Sequence, residues 1–117
     1  MWDYTCSDTF ASSHIAATSK EAGKAALKAE KKKLTHYANL APTHIIMPVA
    51  METLGCFSPM SLQFIKDLGK RIIETSGDKR STMYLFQRLS INNQRGNIAS
   101  IAGTLPSATT LEELYYL

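Results

Sequence analysis

A strand-favouring opening, a lysine-rich helical run and a short apolar run follow one another within the first fifty residues. That order restricts the fold more than any other feature of the chain. Trp2-Asp3-Tyr4-Thr5-Cys6 is rich in residues that suit a pleated surface. The stretch from Ser19 to Leu40 reads as one long helix, with Thr18 or Ser19 as its cap and Glu21 favourable in its first turn. Pro42 prevents its continuation. His44-Ile45-Ile46-Met47-Pro48-Val49-Ala50 is nearly all apolar, which suits a strand covered on both faces, and Pro48 requires a free side or a bulge there. Strand, helix, strand is a βαβ unit, so the two strands are expected to be parallel with a right-handed crossover.

Two further helices complete an α/β reading. Ser58 and Pro59 form a cap followed by a proline at the first helical position, and Leu62, Ile65, Leu68, Ile72 and Ile73 make a stripe that ends at Ser76-Gly77. Asp78 or Ser81 starts the last helix, which carries Met83, Phe86, Leu89, Ile98 and Ile101, with a kink or break expected at Gln94-Arg95-Gly96-Asn97. Residues 1–105 are read as one partial domain and 106–117 as a C-terminal tail. Two short strands make a small sheet, since strands of this length usually belong to sheets of four or more. The expectation is that partners of the first strand lie upstream of Met1, leaving a bare edge prone to self-association.

Lys33 is the residue that points to chemistry. On a helix, Ala22, Ala26, Ala29, Tyr37 and Leu40 fall on one stripe, and Lys33 lies within it, four residues from both Ala29 and Tyr37. An inward lysine either snorkels to solvent or meets a carboxylate. In a βαβ unit the inner face of the crossover helix looks at the strands, where Asp3 offers that carboxylate. An acid and a lysine so placed suit a nuclease site, in which acids hold Mg²⁺ and the lysine steadies charge on a phosphate; Glu30 is a candidate second metal ligand. A structural ion pair is the plainer reading of the same geometry.

Charge is concentrated on the same helix. Residues 20–33 carry six lysines and two glutamates, leaving −1 for the remainder of a chain whose net charge is +3. Lys24, Lys28, Lys31 and Lys32 spread over the outer face, which suits a phosphate backbone or an acidic partner. Cys6 and Cys56 read as reduced, buried thiols, and His14, His36 and His44 have no metal-ligand spacing. No signal peptide or membrane-length apolar run is present, so a soluble, intracellular protein of nucleus or cytoplasm is expected.

Three segments together resemble a known family: Trp2-Asp3-x-Thr5, then Ala29-Glu30-x-x-Lys33-x-x-x-Tyr37-Ala38-x-Leu40, then Met47-Pro48-Val49-Ala50-x-Glu52-Thr53-Leu54-Gly55. Arg80-Ser81-Thr82, Gln87-Arg88-Leu89-Ser90 and Gln94-Arg95-Gly96-Asn97 extend the likeness over roughly residues 2–105. The chain resembles the C-terminal restriction-like endonuclease region of non-LTR retrotransposon reverse-transcriptase polyproteins. The resemblance implies a partial PD-(D/E)xK-type core, with Asp3 as the strand acid, Lys33 as the lysine displaced onto the next helix and Tyr37 as the tyrosine that follows it. It also implies Mg²⁺ as cofactor and DNA as partner. Two features depart from the family pattern: no Pro-Asp precedes the strand acid, and His36 replaces a lysine beside the tyrosine. With one metal ligand absent, the expected protein is an inactive fragment of a DNA-nicking domain that binds DNA weakly through its basic helix. The alternative is a small non-enzymatic domain whose basic helix binds nucleic acid or protein.

Overall fold

The computed structural model describes residues 1–104, so the tail read at 106–117 lies outside the described residues. The chain is α/β. Strand β1 (Trp2–Ser7) pairs in parallel with β2 (Met47–Glu52), in a register that sets Trp2 beside Met47 and Ser7 beside Glu52. Between the strands lie a one-turn helix α1 (Ile15–Thr18), the long helix α2 (Lys24–His36) and a 3₁₀ turn (Ala38–Leu40). Helices α3 (Pro59–Ser76) and α4 (Ser81–Ala102) follow β2. The βαβ unit with two C-terminal helices is therefore the fold.

The crossover helix is shorter than the sequence suggests. It begins at Lys24 rather than near Ser19, because Gly23 adopts a left-handed conformation (φ 83°) and breaks the path from α1. No side chain next to it in sequence caps it. It ends at His36, so Ala22 and Leu40 fall outside it, and Ala25, Ala26 and Glu30 are its buried residues. Strand β2 starts later than expected, and Pro48 sits on the side turned away from β1. There the Pro48 carbonyl accepts from Ser61 Oγ (3.2 Å) and the Ala50 N–H donates to the same hydroxyl (2.7 Å). The Ser58 N–H reaches the Ala50 carbonyl and the Glu52 N–H reaches the Cys56 carbonyl, so the outer edge of β2 is closed by its own following turn.

Ser58 caps α3 by accepting from the Ser61 N–H, with proline in the first turn, and Gly77 (φ 73°) ends it as a left-handed C-cap. Helix α4 runs unbroken through Gly96, contrary to the expected kink. Two α4 amides hold it in place, since Asn93 and Asn97 both donate through Nδ2 to the Thr53 carbonyl, at 3.0 and 2.7 Å. Helices α3 and α4 approach closely at Gly69, where a Cβ would lie 2.5 Å from Thr82 Oγ1.

The two sheet faces are unlike. One, carrying Asp3, Thr5, Pro48 and Ala50, lies under α2. The other borders a cavity of about 550 Å³ walled by Trp2, Tyr4, Val49 and Met51 and by α3 and α4 side chains including Phe64 and Leu89. Among the described residues the buried apolar core is small: Ala25, Ala26, Ala50, Met51, Ile65 and Ala99. Met83, Ile98 and Ile101 of the predicted α4 stripe are exposed. Cys6 is also exposed and Cys56 half-buried, which corrects the expectation of two buried thiols; the short alternating strand turns Cys6 away from α2.

Candidate functional site

Alternation along β1 sends Asp3 to the face under α2, and the helical period brings Lys33 and Tyr37 to the same spot one turn apart. Lys33 Nζ donates to Asp3 Oδ2 at 2.6 Å, and the Tyr37 hydroxyl donates to the same oxygen at 2.9 Å. Both donors converge on Oδ2, and among the described residues no hydrogen bond reaches Oδ1. The Asp3 and Lys33 side chains retain 27% and 29% of their exposure, so the pair is sheltered rather than sealed. Beside it, Thr5, Ala29, Lys32, Lys33, His36 and Tyr37 line a cleft of about 390 Å³.

The electrostatics follow from this geometry. The Lys33 ammonium, and next the Tyr37 hydroxyl, hold the Asp3 carboxyl below its ordinary 3.8. Tyr37 moves the opposite way: its hydrogen bond to Asp3, then burial and the carboxylate charge, push it above its ordinary 10.0. Near neutral pH Asp3 is thus a carboxylate and Tyr37 a neutral phenol.

Glu30 is not part of this cluster. Its buried carboxylate accepts the Met60 N–H at 3.1 Å, satisfying an otherwise free donor at the start of α3. The candidate metal role for Glu30 is corrected accordingly. Glu52, at the end of β2, performs the equivalent task for α2. Fully buried, it accepts the Ala25 and Ala26 N–H groups through Oε1 at 2.9 and 3.3 Å, and the Thr9 hydroxyl through Oε2 at 3.1 Å. Sequence reasoning missed both caps, because neither acid adjoins in sequence the helix that it caps.

A protein-held Mg²⁺ needs several converging oxygen donors. Asp3 supplies one carboxylate, while Glu30 and Glu52 are engaged at helix starts. No group of three or more His, Cys, Asp or Glu side chains converges among the described residues. The residues present do not fit the metal site that the resemblance implies.

Of the basic residues, Lys28, Lys31 and Lys32 are exposed on α2, whereas Lys24 is half-buried and paired with Glu21 at 2.9 Å. Lys32 faces the cleft beside Asp3, and the outer face therefore rests on Lys28 and Lys31. No described helix is long and apolar enough to cross a membrane. Compared with known proteins, the chain matches no family model, no curated protein and no solved structure.

Proposed function

We propose that this chain is a catalytically silent remnant of a retroelement endonuclease-like domain that retains weak, sequence-independent contact with DNA. The observation that carries the reading is the convergence of Lys33 and Tyr37 on one oxygen of Asp3, the three residues that the family resemblance singles out. In an active site of that class the acid holds a metal, which supplies the activated water, and the lysine faces the phosphate. Here Asp3 closes on Lys33 instead, and no second acid joins it among the described residues. The lysine charge is neutralised in place, and hydrolysis has no donor set to support it.

DNA contact then falls to Lys28, Lys31 and Lys32, the last of which stands at the cleft. A few phosphate contacts give binding that weakens steeply with salt, with a dissociation constant of about 10⁻⁴–10⁻⁶ M at physiological ionic strength. Fluorescence anisotropy with a labelled duplex over a salt series, beside plasmid nicking with Mg²⁺, tests the reading. Binding is expected to fall with salt and to weaken in Lys28→Glu/Lys31→Glu, with no nicking. Nicking by the parent chain that disappears in Asp3→Ala refutes the silent site. Salt-independent binding, or none, removes DNA and leaves the non-enzymatic protein-binding alternative.

A further inference from the structure

The two edges of the small sheet differ in kind. The ladder between the strands runs from the Met47 N–H on the Met1 carbonyl to the Thr53 N–H on the Ser7 carbonyl, so the odd-numbered residues of β1 bond β2. The N–H and C=O groups of Trp2, Tyr4 and Cys6 consequently point away from β2, and no hydrogen bond among the described residues takes them up. On the far side of the sheet the β2 edge is closed by Ser61, Ser58 and Cys56. One open edge and one closed edge allow a single strand to be added.

We propose that a second copy of this chain fills that edge, with the two β1 strands antiparallel about a twofold axis through Tyr4, giving a closed dimer with a four-stranded sheet. The strand is self-complementary in this register and in no neighbouring one. Tyr4 then faces the partner's Tyr4, and Trp2 faces the partner's Cys6, so every outward backbone group of the three residues is paired. Large Trp2 sits opposite small Cys6, and these side chains share the face that borders the apolar cavity. Trp2 and Tyr4, now 69% and 49% exposed, gain cover from each other's copies. Sliding by two residues one way sets Asp3 against the partner's Asp3, a like-charge pair. Sliding the other way leaves Trp2 without its opposite residue.

The register also completes the polar site. Asp3 falls opposite the partner's Thr5 in a non-hydrogen-bonded pair, where Cβ atoms are about 4.5–5.5 Å apart. The Thr5 hydroxyl thereby comes beside Asp3, whose Oδ1 has no donor among the described residues. Because β2 is closed, assembly stops at two copies. The inference rests on the backbone edge and stands whether or not the chain contacts DNA.

Sedimentation of the full chain across a concentration series tests it. A transition from one to two chain masses is expected, with no larger species. Tyr4→Lys and Tyr4→Glu, each placing like charges on the axis, are expected to lose the dimer, and an equal mixture of the two to regain it. Should either variant fold poorly, disulfide formation reads the register without a charge on the axis. In a background with Cys6→Ser and Cys56→Ser, Tyr4→Cys is expected to cross-link two chains on mild oxidation and Trp2→Cys is not. A monomer at every concentration overturns the proposal and leaves the edge to a different strand. A dimer that survives Tyr4→Lys, cross-linking through Trp2→Cys alone, or an open-ended series of larger species overturns it as well.

Discussion

Replacing Glu52 with alanine strikes at the junction that holds α2 on the sheet. The carboxylate is fully buried and accepts two helix N–H groups and the Thr9 hydroxyl, so alanine leaves two buried N–H groups and one half-buried hydroxyl without that acceptor. Hydrogen bonds to a charged group contribute about 1.5–3 kcal/mol each, and a carboxylate at a helix start adds about 0.3–1 kcal/mol. These contributions overlap, and local opening to water recovers part of the loss, so a net cost of about 3–5 kcal/mol is expected. Against a typical total of roughly 5–15 kcal/mol this leaves a fold near its margin. Glu52→Gln keeps an oxygen for the Ala25 and Ala26 N–H groups and loses only the charge, so it is expected to cost about 1–2 kcal/mol. Urea denaturation followed by far-ultraviolet circular dichroism measures both, at unchanged slope. The reasoning fails if Glu52→Ala lies within about 0.5 kcal/mol of the parent, or if glutamine costs as much as alanine.

Further outcomes can be measured on the same footing. Gly69→Ala is expected to destabilise by about 1–3 kcal/mol despite the better helix propensity of alanine, because its Cβ meets Thr82 Oγ1 at 2.5 Å and Thr82 Cβ at 2.9 Å; Thr82→Ala should recover part of that loss in the same melt. Ser61→Ala, which leaves the Ala50 N–H without an acceptor inside the fold, is expected to cost about 1–3 kcal/mol in urea. Asp3 is held below 3.8 in the folded state, so its contribution is complete above about pH 4 and is lost as pH falls through the folded value. Carboxyl NMR should show that low titration returning toward 3.8 in Lys33→Met, and a titration unmoved by the substitution would refute the assigned cause. Tyr37 has the opposite sign: its contribution as a neutral donor persists below pH 10 and is lost as pH rises through the raised folded value.

Much of the site was legible because one period governs it. Lys33 and Tyr37 are four residues apart on a helix whose neighbours are small, so their shared direction could be read before any strand was placed. Ser58-Pro59 and Ser76-Gly77 were legible for a similar reason, since the residues that start and stop α3 adjoin it. The start of α2 was not. Its acceptor, Glu52, lies 27 residues after Ala25, and a cap supplied across the fold leaves no local signature. The local Ser and Thr residues offered a false one, and the turn at Gly23 overrode them. Glu30 was misread because its spacing from Lys33 suits a shared site as well as it suits the start of α3, and only the position of Met60 decides between them. Gly96 was read as a break on its propensity, yet Asn93 and Asn97 on either side anchor α4 to Thr53, and tertiary contact prevailed over the local preference.

Helix α2 is attached near its start to Glu52, midway to Met60 through Glu30, and at its end to Asp3 through Lys33 and Tyr37. Between those attachments its length is not free to drift. Deleting one residue between Ala26 and Lys33 would turn everything beyond it by about 100° and draw it back by about 1.5 Å. Leu34 would then take the place of Lys33 on the sheet side, and Asp3 would lose both donors at once. Insertions are expected to accumulate instead in the loop around Phe10 and in residues 41–46, whose added length only enlarges a surface loop. A lineage of this chain under no selection for chemistry would still keep the thirteen residues of α2 at thirteen.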